Sequence, residues 1–182
     1  MVRGLFWILA AVLLGGIVHL STVLAMPQAA KQDAYSRLAQ LTPVNAMMAL
    51  ATTKAGAEIM PFMDPAFAAA VCRYDLSDGP LKLITPLSQA YTSVTFYTRR
   101  SVAFYAINDR AAGRRTIELD LMTAAQHAQV PEDEEVTAAD RLIIESPTTM
   151  GLIVLRALAP EPGLMPMARQ ALAAATCRIQ SQ

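Results

Sequence analysis

The sequence predicts an α+β protein: an N-terminal transmembrane helix, then a single domain in which helices flank an antiparallel, sandwich-like β-sheet. Three observations carry this reading. Residues 4–25 contain no formally charged side chain, about the length a helix needs to cross the bilayer hydrocarbon. Between residues 71 and 145, short runs of β-branched and aromatic residues alternate with turn residues, the pattern of successive short strands. Alanine-rich, helix-forming stretches lie on either side of those runs. Elements of both kinds, segregated along the chain, make an α+β domain.

Composition sets the limits. A length of 182 residues gives one domain and an appendage, enough to bury a core without metals. A hydrophobic fraction of 54% and a mean hydropathy of +0.33 exceed soluble norms, so some apolar sequence faces something other than water. Fifteen basic residues balance 15 acidic ones, which argues against a nucleic-acid partner, since that requires a clustered basic surface.

In the N-terminal segment, Arg3 precedes the apolar stretch. The reading adopted is a retained anchor over residues 1–25, a linker over 26–32 and a periplasmic α+β domain over 33–182. The alternative is a signal peptide: His19, Ser21 and Thr22 shorten the strictly apolar part to residues 5–18, and Val23, Leu24 and Ala25 offer a cleavage site before Met26. In either case the N-terminus stays in the cytoplasm and the domain crosses the inner membrane into the periplasm. His19 is placed at the membrane interface.

The remaining elements follow in order. Residues 33–41 read as a helix with Asp33 as N-cap and Tyr35, Leu38 and Leu41 on one face; Pro43 limits it. Residues 44–70 are rich in Ala and Met, helix-capable in their first half and broken by Gly56, Pro61 and Pro65. Strands are expected at 71–76, 81–84, 93–97, 102–107, 116–119 and 142–145, joined hairpin to hairpin. Ser77, Asp78, Gly79 and Pro80 supply turn chemistry, Arg99 and Arg100 separate two aromatic runs, and Asn108 opens a loop through Gly113. A short helix is expected over 122–129, then an acidic loop (Pro131 to Val136) with Thr137 capping a further helix. A closing helix is expected over 163–177, with Leu164, Ala168, Ala171, Leu172 and Ala175 on one face.

Candidate chemistry is sparse. Zinc and serine-hydrolase motifs are absent from the sequence, and no cofactor is expected. His127 is the one histidine beyond the N-terminal segment. Glu118 and Asp120 stand at strand spacing and could serve glycosidic acid–base work at suitable separation, although a solvated strand face is the plainer reading. Asp75 and Asp78 are read as turn formers. Tyr74, Tyr97 and Tyr105, with Arg99, are candidate ligand contacts, set against simple packing of the tyrosines. Cys72 and Cys177 are expected to form a disulfide, because an exported domain meets an oxidising compartment; the bond would staple the closing helix onto the sheet.

The stretch from Asp64 to Asp120 resembles the bacterial domain-of-unknown-function family DUF1254. The residues that carry the resemblance are the strand and turn at 74–80, the Tyr-x-Ser strand at 91–96 and the aromatic strand ending in a polar turn at 104–109. The apolar start and the C-terminal Ala-Thr-Cys-Arg are similar to a short, membrane-anchored alphaproteobacterial branch. Longer members resemble all-β sandwiches joined to a second domain, which implies a partner protein encoded nearby. Their Asn-x-Asp-Thr-Leu-Tyr-Ser segment is replaced here by alanines, so the resemblance carries over no catalytic residue. The expected function is that of a membrane-anchored envelope accessory or interaction protein, not an enzyme. A small-ligand or carbohydrate-binding module and an envelope-polymer hydrolase are the alternatives.

Overall fold

The structure, a computed structural model, describes residues 2–29, 33–51, 59–60, 63–113, 115–130 and 142–180. The chain divides into two compact units, Met1–Asp33 and Ala34–Gln182. The first is helix α1 (Val2–Ala29), in which an 18-residue stretch within Val2–Met26 has a mean hydropathy of 2.2. It is long and apolar enough to cross a membrane, and it suits an anchor or a signal sequence equally.

The second unit begins with α2 (Ala34–Ala39), directly after Asp33, and places β1 (Met47–Ala49), β2 (Phe67–Asp75), β3 (Leu81–Pro86), β4 (Thr92–Thr98) and β5 (Ala103–Asn108) in sequence. A one-turn helix α3 (Asp109–Ala112) leads to β6 (Thr116–Thr123), α4 (Ala124–His127), β7 (Leu142–Ser146) and β8 (Met150–Leu158). A 3₁₀ turn at Pro162–Leu164 opens α5 (Met165–Ala173), and β9 (Thr176–Ile179) ends the domain. The strands form two sheets, one ordered β1-β2-β8-β4-β5 and the other β7-β6-β3-β9. All pairs are antiparallel except β6 with β7.

The two sheets enclose the core. Strand alternation sends Ala68, Ala70, Cys72 and Tyr74 of β2, Val94 and Phe96 of β4 and Ile153, Leu155 and Ala157 of β8 inward. They meet Leu81 and Leu83 of β3, Ile117, Leu119 and Leu121 of β6 and Ile144 of β7. Ala168 and Leu172 of α5 join the same cluster. The small side chains of Ala68 and Ala70 make room on β2, against which α5 packs.

Several expectations need correction. Ser77–Pro80 does form a turn, with the Asp75 carboxylate accepting from the Ser77 amide (3.0 Å) and hydroxyl (2.6 Å) and Gly79 at φ 141°. It does not close a hairpin, because β2 and β3 lie in different sheets. The apolar character of both strands' inner faces is satisfied by facing each other rather than by pairing. Met47–Ala49, in a stretch read as helical, is an edge strand captured by β2 in the register Met47 to Cys72; pairing overrides the helix propensity of Met and Ala. The strand at 116–119 runs on to Thr123, whose capping box with Gln126 starts α4. The closing helix stops at Ala173, and Cys177 lies in β9. The central strand β8 was not foreseen. Residues 26–29 of the expected linker continue α1, and residues 67–70 of the Ala/Met stretch already belong to β2; residues 30–32, 52–58 and 61–62, the acidic loop and Thr137 lie outside the described residues.

Within the β4–β5 turn, Ser101 takes φ 61° and its amide donates to the Thr98 carbonyl. Asn108 caps α3 through Ala111 N–H (3.0 Å), and Gly113 ends it in the left-handed region. Strand β5 forms an edge of the first sheet, and Asn108 and Ala111 line one of the hollows described below.

Candidate ligand-binding site

The predicted bridge is present: Cys72 and Cys177 are bonded, with Cα atoms 6.4 Å apart. Because Cys177 belongs to β9, the bond ties one sheet to the other across the core instead of stapling a helix to a sheet. Both cysteines are buried. Disulfides form and persist chiefly in oxidising compartments.

The four candidate ligand contacts do not form one site. Tyr74 is fully buried on the inner face of β2. Its ring passes over Gly151, its partner on β8, and the hydroxyl donates to the Tyr97 carbonyl on β4 at 3.2 Å, with Ser146 Oγ 3.0 Å away. Tyr105 packs against Phe96 on the core side of β5, with ring centroids 6.0 Å apart. Tyr97 points the other way, to the outer face of the first sheet, where it joins the small cluster of Tyr35, Leu38, Val71 and Leu152 under α2. Arg99 stacks on Tyr35, its guanidinium carbon 4.4 Å from the ring centroid.

Burial pushes the Tyr74 phenol above its usual pKa of 10.0, against the lowering effect of its Ser146 and Thr148 hydrogen bonds. A folded-state pKa above the unfolded one contributes stability that is complete below about pH 10 and lost as pH rises through the folded value. The domain is therefore expected to melt lower at about pH 11 than at about pH 9. Tyr74→Phe, although less stable at neutral pH, should lose less over that interval, as thermal melts at the two pH values would show. An equal loss in both proteins would assign the alkaline decline to other groups.

Other candidate residues are engaged with neighbours. Glu118 of β6 pairs with Lys82 of the adjacent strand β3, and Asp120 is fully buried and accepts from the Gln180 side-chain amide. Neither lines the hollows described here. His127 Nδ1 lies 2.5 Å from Glu145 Oε1 on an exposed edge. Among the described residues, no group of His, Cys, Asp and Glu is arranged to hold a metal.

What the first sheet does offer is on its outer face. Ala69 and Val71 of β2, Leu152 and Val154 of β8 and Tyr97 of β4 floor a hollow of about 340 Å³, walled by Leu38, Leu50, Met60 and Met63. A second hollow, also about 340 Å³, adjoins it over β4 and β5, lined by Ser93, Thr95, Asn108 and Tyr91. Phe67 and Arg156 line both. Arg156 is exposed and lies in register between Ala69 and Ser93, whose short side chains leave its guanidinium prominent. In the first hollow the Ser101 Oγ is buried with no hydrogen-bond partner. Asp64 also lines this hollow, its Oδ1 accepting from Ala66 N–H at 2.9 Å. The site was invisible in the sequence because its floor comes from β8, whose apolar run carries no strand-like alternation. Only Tyr97 among the sequence candidates is part of it.

The model of the DUF1254 family, described as a protein of unknown function, matches residues 45–178, the greater part of the domain. The chain belongs to the DUF1254 family. Comparison with curated proteins gives no match. Among solved structures, this DUF1254 chain is similar to the VPA0106 protein of Vibrio parahaemolyticus, with a TM-score of 0.60 at 12% identity over 81% of its length. It spans only 33% of that longer chain. An uncharacterised protein of Burkholderia cenocepacia aligns over 74% of this chain and 34% of its own, with a TM-score of 0.47 and 13% identity. At such identities the first likeness speaks to the fold alone: the sandwich of this DUF1254 domain recurs within a larger protein.

Proposed function

We propose that this DUF1254 chain is a membrane-attached accessory domain of the cell envelope, which faces the periplasm and acts by binding rather than by catalysis. The observation that carries the reading is the buried Cys72–Cys177 bridge in a domain that follows an apolar, span-length helix: the first calls for an oxidising compartment and the second for delivery to or across a membrane. Arg3 before the helix favours an N-terminus left in the cytoplasm. The family resemblance adds a protein partner encoded nearby, which would complete what longer members carry in one chain.

Fusions to Gln182 test the topology. Alkaline phosphatase attached there is expected to be active and a fluorescent protein that matures only in the cytoplasm is expected to stay dark. Fluorescence with inactive phosphatase would reverse the orientation and remove the periplasmic role.

A second reading, a small-ligand-binding module, is favoured by the paired hollows on the outer face of the first sheet. Concave sites with a mostly apolar lining and a few polar groups are where small ligands bind. The hydrolase alternative has less support, since Glu118 and Asp120 each spend their charge or hydrogen-bonding capacity on a neighbouring residue.

A further inference from the structure

We propose that the outer face of the first sheet binds a single-tailed anionic amphiphile, with its tail along Leu152, Val154 and Val71 and its charged head on Arg156. The inference rests on the ligand-binding reading and adds the chemical class of the ligand. It follows from how β8 distributes polarity. Along that strand the outward residues run Leu152, Val154, Arg156, so one edge of the hollow changes from apolar to cationic in a single line. The distance from the first to the last of them is about 13 Å at strand rise, which suits an extended acyl chain rather than a compact ring.

The neighbouring strands add Val71, Ala69 and Tyr97 to this hollow, while Arg73, beside Leu152, does not line it and Thr95, beside Val154, faces the second hollow. Val71 stands beside Val154, whereas Ala69 and Ser93 flank Arg156. Beyond Arg156 the second hollow is lined by the hydroxyls of Ser93 and Thr95 and the amide of Asn108, suited to a hydroxylated or hydrated head. Among the described residues Arg156 makes no hydrogen bond or ion pair, so its donors can meet an anion. A guanidinium recognises carboxylate and phosphate alike through paired N–H donors. Asp64 shares the first hollow, but its carboxylate is turned back on the Ala66 amide. The fatty carboxylate and the lysophospholipid phosphate share this chemistry, and an experiment can separate them.

The test uses the full chain in phosphatidylcholine nanodiscs with photoreactive probes. Decanoic acid carrying a tail diazirine, the matching decanol and a diazirine lysophosphatidic acid are irradiated in parallel, and labelled peptides are mapped by mass spectrometry. At least one of the two anions should label the β2 and β8 peptides about tenfold more than decanol, the scale of a charge-assisted hydrogen bond. Which anion does so identifies the head group. Arg156→Gln should reduce that labelling to the decanol level, and Arg156→Lys, which keeps the charge, should retain most of it. Equal labelling by acid and alcohol, labelling confined to other peptides, or an unchanged Arg156→Gln protein would overturn the proposal. If labelling fails while the phosphatase fusion is active and the cysteines are bridged, the ligand class falls and the anchored accessory domain stands.

Discussion

Gly151→Ala is expected to destabilise the domain more than any other single methyl addition among its described glycines. A Cβ at this position would meet the Tyr97 carbonyl oxygen and the Tyr74 hydroxyl well inside contact distance, and the Tyr74 Cζ at 2.6 Å. The obstacle is partly backbone, so it cannot swing away. Adjacent strands are held at their ladder spacing, with β8 between β2 and β4, and the Tyr74 ring can cross β8 only where no side chain stands. Overpacking of this kind costs on the order of 3–4 kcal/mol, a drop of roughly 10 °C in melting temperature for a domain of this size. Gly163→Ala is the control, since a Cβ there meets nothing within 4 Å; it should melt near the parent. Combining Tyr74→Phe with Gly151→Ala should recover only part of the loss, because the Tyr97 carbonyl remains in place. A Gly151→Ala protein that melts within about 2 °C of the parent would mean that the ring does not cross the strand at this point.

Loss of the inter-sheet bridge is the second large effect expected. Cys72 and Cys177 are separated by 105 positions, and in the chain-entropy model closing a loop of that length is worth about 4–5 kcal/mol. Against a typical total of about 5–15 kcal/mol, the bridge is a principal contributor to stability. Cys72→Ala is the cleaner substitution, since serine would bury a hydroxyl at a fully enclosed site. The melting temperature should fall by roughly 10 °C. Cys177→Ala should do the same, and the double variant should lose little more than either single one, because both remove the same link. Mass spectrometry after alkylation without reductant supplies the direct check: both thiols fully modified in the folded, exported protein would mean that the bond does not form in the cell. With the bond lost, β9 would be tied to the domain by its pairing with β3 and the packing of α5, and the sheets would rely on their apolar inner faces alone.

The sequence by itself determined the features that depend on local chemistry or on composition. An uncharged stretch long enough to span a bilayer announces itself without reference to the rest of the fold. Strands with one face inward and one outward, such as Leu81–Pro86 and Thr92–Thr98, show their alternation directly. Turn formers at 77–80 and the Asn108 cap act within a few residues of themselves. The disulfide pairing was legible because a sequence with a single pair of cysteines leaves one partner for each.

Tertiary structure decided which strand lies beside which. Turn chemistry at 77–80 is the same whether the chain folds back into one sheet or crosses to another, and only the closing of the core between sheets selects the crossing. Strand β8 is apolar on both faces, Ile153 and Leu155 against the core and Leu152 and Val154 against the outer hollow; a strand covered on both sides loses the alternation that would reveal it. Met47–Ala49 became a strand because the edge of β2 offered unpaired backbone groups, a long-range opportunity that outweighs the modest helix preference of its side chains. The tyrosines were dispersed for the same reason. Tyr74 and Tyr105 face the core and Tyr97 faces outward, since each follows the two-residue period of its own strand once the sheets are assembled. The hollow beside Arg156 exists only after β2, β8 and β4 are laid side by side, because its floor is drawn from residues that are distant in sequence and meet through register alone.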